Sequence, residues 1–269
     1  LDPVPLPVFD EPTIRERLAE DFGTLEVAGD RRASPLRIEA LGERIQLFRE
    51  TGSGWKPFEA GSGFRLLPAG KDSLSLNGHR YRGFIDLFVN PLGEAVAVNE
   101  VPLEAYLRSV VPKELGPWTY PELEALKAQA VAARTFALVE TGRYAERGFD
   151  LFDDERSQVY GGLATEHPLS NRAVSETEGV VAVYRGRPIY ALYCSTCGGR
   201  TEAFDQIFRG GPVPYLAGGA ACPEGTGGYA RWEERLGVAS IRRQIDRYAG
   251  VGRLRDLEIL QRSEVGRTV

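Results

Sequence analysis

Residues 110–141 read Val-Val-Pro-Lys-Glu-Leu-Gly-Pro-Trp-Thr-Tyr-Pro-Glu-Leu-Glu-Ala-Leu-Lys-Ala-Gln-Ala-Val-Ala-Ala-Arg-Thr-Phe-Ala-Leu-Val-Glu-Thr. The stretch has two halves. Val110 to Tyr120 is broken by Pro and Gly and reads as a loop, with Glu114 set among apolar neighbours. The second half reads as a helix over about 121–141. Pro121 suits the first helical position, where its missing N–H has no helical partner anyway. Thr119 is the better chemical cap, Glu122 and Glu124 suit the positive helix end, and Gly142 stops it. Ala125, Ala128, Ala132 and Phe136 form one apolar stripe; Leu123, Leu126, Ala130, Ala133 and Ala137 form another. A helix apolar all round is expected to be buried. Lys127 and Arg134, seven residues apart, project to nearly the same side. They either form structural ion pairs or line a cleft and bind substrate. Gln129, on the far side, reads as structural.

Outward from this helix the pattern changes. From 24 to 100 the runs Thr24–Val27, Leu36–Ala40, Ile45–Phe48, Phe64–Leu67, Ile85–Val89 and Ala95–Val98 carry strand character, with Gly, Asn and Asp between them. Asn77-Gly78 reads as a hairpin turn. Residues 1–23 read as a Pro-rich lead-in, with a short helix at Ile14–Ala19. After the central helix come a mostly looped 144–162, a short helix at 170–178 ended by Gly179, and a strand–turn–strand unit at 180–193. A Gly-rich connection at 198–231 follows, then a helix at 242–248 and a strand at 254–261. The class is α+β: antiparallel strands in the N-terminal part, a central buried helix, then further strands and short helices. One domain is expected over 24–269, mainly β in 24–100 and helix-containing in 101–269.

Composition narrows the function. Apolar residues make up 42% of the 269 and the net charge is −5. That suits a folded core and argues against a nucleic-acid partner, which would favour a basic patch. No run of about 18 apolar residues exists to span a membrane. The chain opens Leu-Asp-Pro and holds no Met, so its start reads as removed by signal cleavage or by design.

Several segments together carry a resemblance. They are Val111–Leu115 with Ala125–Ala137, Tyr81–Gly83, Val98–Leu107, Ser157–Gly162, Thr177–Gly179 and Ser195–Glu202. Over roughly residues 80–235 the chain resembles the SpoIID/LytB family, the sporulation stage II protein D type. The resemblance implies an extracytoplasmic peptidoglycan lytic transglycosylase acting on glycan strands, with Glu114 at the catalytic glutamate. It also implies that the segments of Gln158–Tyr160 and Ser195–Thr196 border the cleft. Other cell-wall hydrolases are the partners it suggests, since the family includes amidase enhancers. A glycan-binding protein that does not cut is the alternative.

The chemistry is coherent. Cleaving a glycosidic bond needs an acid to protonate the leaving oxygen. A glutamate serves near neutral pH when apolar surroundings raise its pKa. In a lytic transglycosylase the 6-hydroxyl of the muramic acid attacks its own C1. One carboxyl then acts as acid and base, leaving a 1,6-anhydro end. Trp118, Tyr120, Tyr160 and Tyr193 are candidates to stack on sugar faces or to pack in the core. Ser195 as a nucleophile finds no triad, since His79 and His167 are the sole histidines and neither lies in such a motif.

Cys194, Cys197 and Cys222 leave three possibilities open. These are a disulfide from Cys222 to Cys197 or Cys194, a zinc site lacking an obvious fourth ligand, or free thiols. Some members of the resembled family bind zinc near the segment equivalent to 149–158. Phe152 and Ser157 stand where their cysteines occur, so that site is expected to be lost, and no cofactor is expected.

Overall fold

The computed structural model describes residues 4–5, 13–20, 24–28, 35–68, 73–222, 233, 235–247, 255–256, 258 and 260–263. The chain divides into two compact units, Leu1–Tyr193 and Cys194–Val269, a boundary that falls inside the 101–269 segment read as one piece.

In the first unit the described strands are β1 (Val4–Pro5), β2 (Thr13–Glu20), β3 (Thr24–Ala28), β4 (Leu36–Leu41), β5 (Arg44–Thr51), β6 (Gly54–Gly61), β7 (Gly63–Leu66), β8 (Leu74–Leu76), β9 (His79–Tyr81), β10 (Phe84–Val89), β11 (Ala95–Pro102), β12 (Leu151–Phe152), β13 (Val180–Val181), β14 (Val183–Tyr184) and β15 (Arg187–Pro188). The helices are α1 (Leu103–Glu114), α2 (Leu123–Glu140) and α3 (Pro168–Glu176). One sheet runs β6-β5-β4-β3-β8-β9, and a second runs β12-β2-β11-β10-β7. The class is α+β.

β11 joins the layers. Its residues alternate between faces, as a strand requires. Ala95 and Ala97 pack with Ile38, Ile45, Leu47, Leu74, Leu76, Ile85 and Leu87 in the core between the sheets. Val96 and Val98 pack on the other face with Phe149 and Phe152. Val101, just before α1, enters a third core with Leu107, Val110, Leu126, Ala133 and Val174, formed by the helices. Asn77 and Gly78 adopt φ of 50° and 80° and make the tight turn from β8 to β9. Gly83 is required where it stands: φ is +75°, and a Cβ there would overlap the carbonyl oxygen of Glu100.

Four expectations change. Ile14–Ala19 is no helix; it lies in β2, between β11 (antiparallel) and β12 (parallel). The flanking ladders take its backbone groups, and neighbouring strands override the helical propensity of Arg-Glu-Arg-Leu-Ala. The first part of the stretch read as a loop, Val110 to Glu114, lies in α1 (Leu103–Glu114), with Pro112 inside its last turn. That over 121–141 starts at Leu123, with Glu122 at the cap position, so neither Thr119 nor Pro121 has its expected place. Nor is α2 buried all round. Leu126, Ala130, Ala133 and Ala137 are buried, while Ala125 and Ala128 are exposed. Alanine favours a helix without demanding burial.

The turn residues after α2 behave as read. Gly179 (φ +69°) follows α3, and Arg185-Gly186 (φ 51° and 77°) turns β14 into β15.

In the second unit Cys197 and Cys222 are disulfide-bonded and Cys194 is free and exposed. The bridge closes a short ladder in which Thr201 N–H donates to Ala220 O (2.9 Å) and Cys222 N–H to Gly199 O (3.0 Å). The helix α4 (Phe204–Ile207) follows, and α5 (Val238–Ile245) takes the place of the helix expected at 242–248. Much of the strand predicted at 254–261 lies outside the described residues, and its described members carry no strand.

Candidate functional site

Glu114 is the last residue of α1, so the loop expected around it begins one residue later, at Leu115. The chain then turns at Gly116, whose carbonyl accepts from Thr119 N–H (3.0 Å) and Tyr120 N–H (2.8 Å). This turn leaves Trp118 66% and Tyr120 55% exposed, an aromatic rim on the loop that follows Glu114.

The Glu114 carboxyl is half-buried. Its Oε1 accepts the Val159 N–H at 3.0 Å, and among the described residues its other oxygen has no hydrogen-bond partner. Burial pushes its pKa above the ordinary glutamate value, against the opposing pull of the Val159 N–H and the Lys113 charge. Desolvation winning over one amide and one cation is the balance a general acid needs.

Val159 is held from several sides. Tyr160 N–H donates to Asp153 O (3.1 Å), Gly161 N–H to Ser109 Oγ (3.0 Å), and Ser109 Oγ is bonded to Thr165 Oγ1 (2.8 Å). Ser109 lies on α1, so the same helix carries the carboxyl and pins the loop that binds it.

The other predicted residues fall into distinct places. Gln158 is 1% exposed and Tyr160 6%, so neither borders an open cleft. Gln158 Nε2 donates to Tyr193 Oη (2.7 Å) and Ala133 O (3.3 Å), and its Oε1 accepts from Tyr106 Oη (3.1 Å). Tyr160 stacks on Tyr106 with centroids 5.2 Å apart, and its hydroxyl donates to Asn99 Oδ1 (2.8 Å). Arg134 is 0% exposed. It grips both oxygens of Glu104 at 2.7 Å and donates to Val180 O at 3.0 Å. A guanidinium so enclosed ties α2 to α1 and β13, and its expected contact with substrate gives way to that role. Lys127 pairs with Glu124 (2.8 Å) and Glu176 (2.6 Å), the ion-pair alternative of the two open for it. Ser195 and Thr196 are exposed and belong to the second unit.

Between Phe149 and Gln158 an aromatic cluster stands. The ring of Phe152 lies 4.7 Å from Tyr144 and 5.0 Å from Phe149, with the guanidinium carbons of Arg17 (4.7 Å) and Arg156 (3.9 Å) over it. Ser157 Oγ accepts the Phe152 N–H at 3.1 Å. Among the described residues no three His, Cys, Asp or Glu side chains gather as metal ligands.

Sequence reasoning reached Val159 only as part of the Gln158–Tyr160 segment, since it acts through its backbone and has no side-chain signature. It passed over Ser109 and Tyr106. Their signal is a polar group recurring among the apolar positions of α1.

The family model described as "Stage II sporulation protein" matches residues 92–184. An uncharacterized protein of Brachyspira hyodysenteriae is 38% identical over 149 residues, 55% of this chain and 39% of that protein. The amidase enhancer of Bacillus subtilis is 37% identical over 161 residues, 58% of this chain and 21% of that protein. Stage II sporulation protein D of the same organism is 34% identical over 135 residues, 45% of this chain and 38% of that protein. The chain thus spans well under half the length of each of these relatives. The matched stretch contains α1, α2, Glu114 and the Val159 loop. Over that stretch the chain is similar to the SpoIID family.

Proposed function

We propose that this chain is a peptidoglycan lytic transglycosylase. It cleaves the bond between N-acetylmuramic acid and N-acetylglucosamine and leaves 1,6-anhydro ends, with Glu114 as acid and then base. The observation that carries the reading is the carboxyl itself: half-buried, raised in pKa by that burial, anchored through one oxygen and open at the other. The charged group whose field acts on it is Lys113, and no described carboxylate does so. That suits a mechanism with one carboxyl better than hydrolysis, which uses two. The exposed Trp118 and Tyr120 offer faces for sugar rings.

The Cys197–Cys222 bridge suits an oxidising, extracytoplasmic setting. Among the described residues no helix is long and apolar enough to cross a membrane. The partners in this reading are glycan strands and other cell-wall hydrolases. The relative named amidase enhancer favours the second reading, a glycan-binding protein that does not cut.

The test is mass spectrometry of denuded glycan strands incubated with the protein and with Glu114→Gln. Anhydro ends from the parent alone are expected. Reducing muramic ends would mean hydrolysis. Retention on strands by both proteins without cutting would favour the binding reading.

A further inference from the structure

Two adjacent residues hold two different side chains. The Val159 N–H holds Glu114, and the Gln158 amide holds Tyr193. The direction of the second bond is fixed by chemistry. Ala133 O accepts only, so the Nε2 end of the amide must face it, and the Oε1 end takes the Tyr106 proton. At Tyr193 the phenol oxygen is therefore the acceptor, and its own proton points away from Gln158. Among the described residues no group accepts that proton. Burial and the field of Glu114 push the phenol pKa upward, so the group stays an O–H wherever Glu114 works. This bond takes one of the two N–H donors of the enclosed Gln158 amide, while Tyr193 itself is only partly buried.

We propose that Tyr193 is a second substrate-contacting group of the Glu114 site, donating its O–H to an uncharged oxygen of the bound sugar chain, and that Gln158 is the positioning residue that aims it. This rests on the glycan reading above. The oxygen is a sugar hydroxyl or an N-acetyl carbonyl, since a phenol donates well to either. A phenol held protonated does not compete with Glu114 for the role of acid. It binds and orients the sugar while Glu114 moves the proton. Gln158, expected from the sequence to touch substrate, acts one residue back from it.

The experiment compares the parent with Tyr193→Phe, Gln158→Glu and the double variant on denuded glycan strands, reading kcat and KM. Strand affinity is measured in parallel in a Glu114→Gln background. Tyr193→Phe removes one hydroxyl and is expected to lower kcat/KM and affinity by about tenfold, measured below a melting transition that falls modestly because one buried Gln158 N–H loses its acceptor. Gln158→Glu turns the donor into an acceptor and draws the Tyr193 proton back. Its loss is expected not to add to that of Tyr193→Phe, whereas a merely structural glutamine would give additive losses. Cutting and binding by Tyr193→Phe equal to the parent overturn the inference while the glycan reading stands. A parent that neither cuts nor holds the strands overturns the reading, and the inference with it.

Discussion

Replacing Arg134 by methionine tests the helical layer most directly. The guanidinium makes two 2.7 Å bonds to Glu104, and bonds to Val180 O (3.0 Å), Val174 O (3.4 Å) and Ala130 O (3.5 Å). Methionine keeps the apolar stem and opens little cavity, so the loss is electrostatic. The Glu104 side chain is 14% exposed and loses this guanidinium from both oxygens. Breaking one side of such a buried pair costs about 3–5 kcal/mol. In a unit of this size that lowers the melting temperature by roughly 6–20 °C. Adding Glu104→Gln removes the charge that lost Arg134 and is expected to recover most of the loss. Urea denaturation of the three proteins measures both steps. A loss below about 1 kcal/mol, the range of an exposed pair, would refute the reasoning. A substrate role for Arg134 would appear instead as lost glycan affinity in a variant of parental stability.

Other outcomes are expected. Glu16 is wholly buried, neither of its oxygens has a hydrogen bond among the described residues, and burial followed by the field of Asp153 raises its pKa well above the ordinary value. The native chain thus holds a proton that the unfolded chain releases above about pH 4.3, and stability from this group falls as pH rises from there toward the folded pKa. Glu16→Gln should therefore gain stability on the parent at pH 7 and lose that advantage near pH 4; equal differences at both pH values would sink the idea. Activity should fall on the alkaline side as Glu114 ionises, and Lys113→Gln should move that limb to higher pH, because the Lys113 charge lowers the Glu114 pKa. A pH–rate profile that does not move would count against Glu114 as the acid. Reducing the Cys197–Cys222 bridge, with its separation of 25 residues, should destabilise the second unit by about 3 kcal/mol. Limited proteolysis should then cut between 198 and 221, whereas Cys194→Ser changes nothing.

What could be read from the chain depended on whether the signal was local. The Asn77-Gly78 hairpin, the Arg185-Gly186 turn and the Gly179 stop were legible, because each needs positive φ and carries a residue suited to it. The β2 strand was not. Thr-Ile-Arg-Glu-Arg-Leu-Ala-Glu has no clear alternation of apolar residues, and it even buries Glu16 and Arg17. What makes it a strand is β11 and β12, about 80 and 130 residues further on. Glu114 was found through its neighbours in sequence, but Pro112 disguised it as a loop residue. Gln158 and Arg134 were singled out as polar residues in telling places, and both proved to lie inside. No one-dimensional pattern separates a polar side chain facing a cleft from one enclosed with its partners.

The position of β2 bears on how the chain is made. It leaves the ribosome well before either of its neighbours. At ~5–20 residues per second the wait until β11 is complete lasts ~4–16 s. Through that interval Ile14 has no core to enter, since the buried residues it clusters with run from Val101 through α1 and α2 and beyond. The sheet is complete only once β12, which follows α2 in the chain, has been made. A piece cut to residues 92–184 would contain the Glu114 carboxyl and lack the strand that sits between β11 and β12.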